Sequence, residues 1–426
     1  MIRTYRWPLL ITLAISITAV FSLPPLLDPA NPASLTGARL QAPLSYHLFA
    51  PVSDVLDMVT MLSPAQDWGM LGLCGLCFAA CVRARGNARG TRFTLPSLIR
   101  ASCRFLGGAV AVVGIALVAD RPMASLVLDD PDLVAVDFHS HTSASHDGRA
   151  GFDAERNREW HSSAGFNAVY VTDHRTFTGA LLGAEHNPVH SVDATVLLPG
   201  VELRDGDEHP ILIGVDPRRM RITSPDWKDA AIAADGGPAP PMILLSMPGD
   251  VLSIPLDETT GPVRIAGIEI SDGSPRGIAQ SSRDREAIAA LTGRLHFALV
   301  SASDNHGWGR TAPAWTVMRI PGWRLMSPAR LDVAIRRTLI SRGRLATKVI
   351  VRRLAPEPTS KVGVALSGVS VALLTLRTMS PIDRLSWILW SWSLGFVLVQ
   401  SRRRRTVRAW LRHQRRLRQR AVEAAA

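Results

Sequence analysis

Apolar residues in this chain come in two kinds of run, and the difference sorts its elements. Five runs are long: Pro8 to Leu23, Trp68 to Val82, Phe105 to Ala119, Val362 to Leu376 and Leu385 to Val399. Each falls short of the ~20 residues that span a bilayer comfortably. Arginines crowd their flanks, however, and together they predict an integral membrane protein. The first run follows Arg3 and Arg6 with no small-x-small cleavage site after it, which predicts an uncleaved anchor. Seven runs are short: Leu133–Phe138, Ala168–Thr172, Val196–Glu202, Ile211–Val215, Met242–Met247, Arg264–Ile270 and His296–Ser301. Helix-like stretches such as Asp153–Ser163 and Arg283–Leu291 lie between some of them, so the pattern predicts parallel strands with helical crossovers.

Punctuation divides the rest. Pro217 to Pro241 is a polar, Gly/Pro-rich insertion holding Trp227, expected as a surface loop or lid. Ser327-Pro328 opens a helix expected to reach Ile340, with serine as N-cap and proline in the first turn. Ala355-Pro356-Glu357-Pro358 reads as a stiff linker. The expected organisation is a membrane region over 1–126, an α/β domain over 127–356, a second membrane region over 357–401 and a basic tail over 402–426.

Charge refines this picture. The net charge is +12, but ten arginines between Arg402 and Arg420, opposed only by Glu423, contribute +9 of it. A tail directly after an apolar segment fits anionic lipid at the cytoplasmic surface better than nucleic acid, and the body carries no basic stripe. Arg83, Arg85, Arg89, Arg92, Arg100 and Arg104 mark a second cytoplasmic stretch, which puts the α/β domain outside the cytoplasm. Two further crossings would then strand the arginine tail outside as well. Either one C-terminal segment is a half-crossing, or an N-terminal segment such as Tyr46 to Leu62 is misread, although Asp54 and Asp57 argue against a span there. Cys74, Cys77, Cys81 and Cys103 all sit in or beside apolar N-terminal segments and read as small hydrophobes, not as a metal or redox motif.

Metal-type side chains gather at the ends of the short runs. The first run delivers His139 and His141, an i, i+2 pair that a strand aims at one point, then Asp147 on the loop beyond. The second ends Thr172-Asp173-His174, the third Gly200-Val201-Glu202, and the last is followed by Ser303-Asp304-Asn305-His306. The C-terminal ends of parallel barrel strands share one rim, so these groups are expected to converge. His209 begins its run and must reach that rim by another route.

At these residues the chain resembles the PHP superfamily, the polymerase and histidinol phosphatase domains. The likeness runs from Val134 to about Arg310, and rests on His139-x-His141 with Asp147-Gly148, Thr172-Asp173-His174, Gly200-x-Glu202 with His209, and Ser303-Asp304-x-His306. It implies a distorted seven-stranded (β/α) barrel, here flanked by transmembrane helices. It also implies a multinuclear site of zinc, manganese or iron. His139, His141, Glu202 and Asp304 would surround one ion, and Asp147, His174 and His306 a second. Glu202 would bridge towards a third position with His209. The family's His-Pro at the end of the middle strand is here Met247-Pro248, and a thioether suits such ions poorly, so two ions are expected rather than three. Asp250 or His296 could stand in for the missing ligand.

The resemblance implies metal-assisted hydrolysis, most often of phosphate esters. Phosphate needs positive partners beyond the metals, for which Arg175 and Arg310 are candidates, each also readable as a solvated or ion-paired surface residue. Asp173 is expected to orient a ligand histidine. His146 and His161 are read as incidental. Carboxyl- or carbamate-ester hydrolysis on the same site is the near alternative, favoured by an apolar wall with Trp308. A non-catalytic metal-binding sensory domain is the distant one. The expected partners are a small-molecule ester or phosphoester and the lipid bilayer. The sequence says nothing of oligomeric state.

Overall fold

A computed structural model of the chain describes residues 5–31, 35, 37–89, 94–204, 209–222, 227–235, 237–246 and 263–423. Its strands, in chain order, are β1 Leu26–Leu27, β2 Ala38–Gln41, β3 Ser125–Leu128, β4 Leu133–Ser140, β5 Ala168–Val171 and β6 Val196–Glu202. They continue with β7 His209–Ile213, β8 Met242–Ser246, β9 Arg264–Ser271, β10 Ala298–Ser301, β11 Ala314–Arg319 and β12 Thr347–Arg352. All seven short runs are strands, and they stand side by side as β4 to β10. The sheet nevertheless has ten strands, in the order β1-β12-β11-β4-β5-β6-β7-β8-β9-β10, so the expected count of seven is corrected upward. The three additions pair antiparallel: β11 with β4 and β12, and β1 with β12. β2 and β3 form a separate pair. Strands β1 and β2 thus fall within the stretch expected as pure membrane region.

The sheet curls until its last strand meets the second, third and fourth. Ser301 N donates to Thr316 Oγ1 at 2.7 Å, Thr347 Oγ1 donates to the Leu299 carbonyl at 2.6 Å, and Ser140 bridges Asn305. Period-two alternation divides the core. Val134, Val136 and Phe138 of β4 join Tyr170, Ile211, Met242 and Val300 inside the curl, where Leu331, Ile335 and Leu339 of the helix Pro328–Arg342 close one end. Ala135, Val169 and Leu197 face outward onto Trp160 and Ala164 of the helix Ala154–Ala164. That helix starts at an Asp153 cap, whose carboxylate accepts from Arg156 N, and stops at Gly165 with φ +88°. Ser327 occupies the N-cap position of its helix as expected, without a side-chain cap bond. Trp227 is not on a lid: with Met220, Ala231 and Ala234 it is buried against the outer face of the sheet.

Among the described residues, four helices are long and apolar enough to cross a membrane: Pro64–Ala84, Leu95–Val118, Lys361–Thr378 and Pro381–Ser401. The fifth expected segment is a shorter apolar helix, Arg6–Val20, of 15 residues. Tyr46 to Leu62 does not span: it forms helices Leu44–Leu48 and Ala50–Val59, whose Asp57 pairs with Arg121 and Arg352.

Candidate metal centre

A bulge in β4 aims the two opening histidines. Asp137 pairs with Val169 and Ser140 with Val171, so three steps on β4 oppose two on β5. Asp137 and Ser140 consequently both face the helix Ala154–Ala164, bonding His161 and Asn157. The extra residue turns His139 and His141 inward together, as bulges beside active sites do. Sequence spacing alone would have put His139 on the face of Asp137.

The other ligand-type residues arrive from neighbouring strand ends. Glu202 closes β6, and His174 follows β5 and bridges it. β7 runs antiparallel to both neighbours, so its first residue, His209, lies on the same rim; this is the route that spacing left open. Asp304 takes φ +45°, a left-handed conformation that aspartate tolerates, and its N–H donates to the His139 carbonyl at 3.0 Å. The eight expected residues are thereby brought together. His139 Nε2 lies 3.0 Å from His141 Nε2 and 3.1 Å from Glu202 Oε2. His141 Nε2 lies 3.2 Å from both Glu202 Oε2 and Asp304 Oδ1. Asp147 Oδ2 lies 3.1 Å from His174 Nε2 and 3.3 Å from His306 Nε2. His174 Nδ1 is 3.2 Å from Glu202 Oε2, and His209 Nδ1 is 2.7 Å from Glu202 Oε1.

These spacings fit a metal. Ligands 2.0–2.1 Å from a tetrahedral ion stand about 3.4 Å apart along each edge. Four sets of three such groups have ligand atoms mutually within 4.8 Å, among them His139/His141/Glu202 and His141/His174/His306. The buried Nε2 of His306 makes no well-aligned hydrogen bond among the described residues, although Asp147 Oδ2 lies 3.3 Å away. Two imidazole nitrogens 3.0 Å apart cannot both point a proton at the other. A nitrogen- and oxygen-rich set of this kind suits a divalent cation.

Electrostatics says the same. Burial drives the His139 pKa down, but Glu269, Glu202 and Asp304 overcome it and hold it well above the usual value. His141 is likewise raised, to about 9, against burial, by hydrogen bonds to Asp304 and Glu202. Asp147 is lowered to about 2: burial opposes this, while Ser145 and the His306 and His174 charges produce it. The cluster is primed to hold positive charge.

Comparison with known proteins gives a loose answer. No family model matches the chain, and no curated protein matches it. Among solved structures, PsfC from Pseudomonas syringae PB-5123 is similar at 15% identity and a TM-score of 0.36, over 58% of this chain and 99% of that one. A two-domain protein from Bacteroides vulgatus, described as containing a predicted PHP-like metal-dependent phosphoesterase, shares 16% identity over 52% of this chain and 66% of that one, at a TM-score of 0.37. An amidohydrolase from Chromobacterium violaceum shares 16% identity over 47% of this chain and 96% of its own, at a TM-score of 0.30. These scores are too low to bear on chemistry.

Several expectations change. Glu269 was missed: fully buried on β9, its Oε1 sits 3.0 Å from His139 Nδ1. A lone carboxylate in the apolar run Ile265–Ile270 was the available signal. Asp272, buried beyond it, has its pKa raised by burial and by the Asp304 and Glu269 charges. Asp173 does not orient a histidine; it accepts from Thr142 N at 2.6 Å and Thr142 Oγ1 at 2.8 Å, bracing the turn after His141. His161 is no ligand, but it is fully buried, with Nε2 2.9 Å from Asp137 Oδ2. His146 packs at a tilt against His174, ring centroids 4.9 Å apart, and stands within reach of Asp147. Arg175 is exposed, with φ +52° and its N–H donating to the Glu202 carbonyl. Arg310 pairs with Asp120 at 3.4 Å and donates to the Arg121 carbonyl. His296 is the left-handed C-cap of Pro275–Leu295, at the start of its run instead of the rim end. Met247, Pro248 and Asp250 lie outside the described residues.

Proposed function

We propose that this chain is a membrane-anchored, metal-dependent hydrolase of the PHP type that acts on phosphate esters. The observation that carries the reading is the convergence of His139, His141, Glu202 and Asp304 within 3.0–3.5 Å contacts at one barrel rim. These four would hold one ion, and Asp147, His174 and His306 a second, with Glu202 reaching both and offering its other oxygen beside His209. Two ions of zinc, manganese or iron fit this division. A bound ion supplies Lewis acidity and a water acidified towards neutrality. Glu269 is placed to accept the Nδ1 proton of His139, which would leave the Nε2 lone pair to a bound ion. Asp147, ionised at neutral pH, leaves His174 and His306 oriented towards the mouth. Arg175 stands exposed on the rim, where it can meet an anionic group. Trp308, half-exposed two residues past His306, favours ester substrates as the second reading.

The test is metal analysis of the purified full-length protein, alongside turnover of phosphomonoesters, phosphodiesters and aryl esters. The loaded protein is expected to hydrolyse a phosphoester, and His139→Ala to cut that rate by roughly a thousandfold, the several kcal/mol expected of a Lewis acid. Metal bound without turnover, and unchanged in His139→Ala, would sink the reading.

A further inference from the structure

The rim of the metal centre is joined to the end of a membrane helix. Gly309 N donates to the carbonyl of Leu117, on the last turn of Leu95–Val118, at 2.8 Å. His306 lies three residues earlier, within roughly 11 Å of that point by chain length alone. A groove of about 270 Å³ adjoins this junction, lined by Leu117 and Val118 together with Asp120, Arg149, Arg156 and Arg310. Arg156 and Arg310 have carboxylate neighbours in Glu159 and Asp120. Arg149 donates to the Gly307 carbonyl and lies 5.4 Å over the Trp308 ring, with no carboxylate partner among the described residues. Trp308 itself is 49% exposed between Gly307 and Gly309, both at positive φ. An amphipathic ring beside a helix end is placed as interfacial tryptophans are. The neighbouring helices Leu44–Leu48 and Ala50–Val59 expose Leu44, Leu48 and Val52, with Phe49 exposed between them, and Thr60 beside them bonds Thr311 on the same loop.

Resting on the hydrolase reading, we propose that the substrate is presented by the bilayer: an amphiphile whose phosphate group seats against Arg149 and whose apolar chain stays beside Leu117 and Val118. Guanidinium groups beside apolar side chains at a helix end match that chemistry. A wholly soluble substrate would leave those apolar side chains and Trp308 without use.

The experiment compares kcat/KM for phosphatidic acid and for the water-soluble p-nitrophenyl phosphate, using metal-loaded full-length protein in nanodiscs. Phosphatidic acid is expected to be preferred at least tenfold. Trp308→Ala and Arg149→Ala are expected to lower that preference about tenfold, and Trp308→Phe to restore most of it. If the soluble ester is hydrolysed and the lipid is not preferred, or the ratio ignores all three variants, the proposal is overturned while the hydrolase reading stands. If neither is hydrolysed, both fall.

A separate observation carries a second inference, on how the chain threads the bilayer. Gln66 Nε2 donates to the Ala355 carbonyl at 2.9 Å, and Leu62, Ala355 and Val371 share one apolar cluster. Farther along, Gly69 packs directly on Val364, Ser367 and Gly368, so Lys361–Thr378 runs antiparallel to Pro64–Ala84. Its end returns to the barrel: Leu23 N donates to the Arg377 carbonyl at 2.9 Å, and Arg353 N donates to the Pro25 carbonyl at 2.7 Å. Six extended residues from Ala355 cover roughly 20 Å, and the ten-residue rise from Lys361 to Val371 recovers about 15 Å. The segment goes out and comes back.

We infer that Lys361–Thr378 re-enters without crossing, and that Pro381–Ser401 alone carries the chain across after the barrel. The second half of that last helix meets the N-terminus, where Trp392 stacks on Tyr5 at 5.9 Å and Gly395 packs on Pro8. Phe78 lies 5.4 Å from Phe105, pairing the other two membrane helices into a hairpin whose arginine end points away from the barrel. Arg6, Arg83, Arg100 and the tail thus share one face, the cytoplasmic one, and the metal centre takes the other.

Single cysteines at Asp193 and Glu423, in full-length protein whose native cysteines are alanine, test this with an impermeant maleimide on intact cells. Asp193→Cys is expected to label and Glu423→Cys to label only after permeabilisation. Any other pattern overturns the inference.

Discussion

Two buried charge clusters in this molecule are built on opposite logic. Between the barrel and the membrane helices, Asp57 accepts from Arg121, from Thr311 Oγ1 at 2.9 Å and from Tyr46 at 2.9 Å, with Arg352 at 3.5 Å. Guanidinium groups carry fixed positive charge, so the chain neutralises this carboxylate by itself. At the metal rim, the cationic partners of Glu202, Asp304 and Asp147 among the described residues are imidazoles, with Ser145 donating to Asp147 as well. Imidazoles are cationic only when protonated, so the positive charge facing these carboxylates is held as exchangeable protons. The first cluster is complete. The second leaves a place for a cation that the chain does not encode.

Breaking each cluster should therefore give different losses. Glu202→Ala removes the carboxylate that touches His139, His141, His174 and His209, and is expected to abolish stoichiometric metal and lower turnover by roughly a thousandfold or more. Elemental analysis with kinetics checks this; full metal retention would contradict the assigned role. Asp57→Ala should act on stability instead, destabilising the fold by about 3–5 kcal/mol because Arg121 and Arg352 lose a buried partner. Denaturation in detergent reads that loss, and metal content per folded molecule should stay unchanged. An Asp57→Ala protein as stable as its parent would erase the contrast.

The same division explains what the sequence made legible. Strand runs β4 to β10 were visible because each is a short apolar block, and the ligands were visible because His, Asp and Glu at strand ends are costly without a purpose. The antiparallel course of β7 was not visible, since apolar blocks carry no direction. His209 therefore looked misplaced until β6 and β8 fixed it. Glu269 escaped because one carboxylate in a strand has no spacing to report it; only its burial against His139 does. Strands β11, β12 and β1 were hidden for a different reason. Their residues, including Arg319, Lys348 and Arg352, mix charge with apolar positions at the outer part of the sheet. The arginine clusters predicted a shared membrane face, yet the turn-back of Lys361–Thr378 depends on packing at Gly69 that composition does not express.

The smaller effects test how far the rim depends on its supports and on protons. Glu269→Gln keeps the shape but weakens the acceptor for His139 Nδ1–H, and is expected to cost 10- to 100-fold in metal affinity, the usual scale for such a partner. Calorimetric titration of the metal-free protein would show it; unchanged affinity would make Glu269 a packing residue. pH gives the last and smallest contrast. His141 in the metal-free fold sits at about 9, above its usual 6.5, so its contribution to stability is complete below pH 6.5 and is lost as pH rises through 9. Asp147, at about 2 and below its usual value, contributes at neutral pH and loses that only as pH falls towards 2. Metal-free protein should thus lose Tm between pH 6.5 and 9. Metal-loaded protein should gain relative to it over the same range, because a bound cation replaces protons that His139 and His141 otherwise keep. A metal-free Tm that rises over that interval would show that the imidazoles are not holding the positive charge, and would remove the distinction between the two clusters.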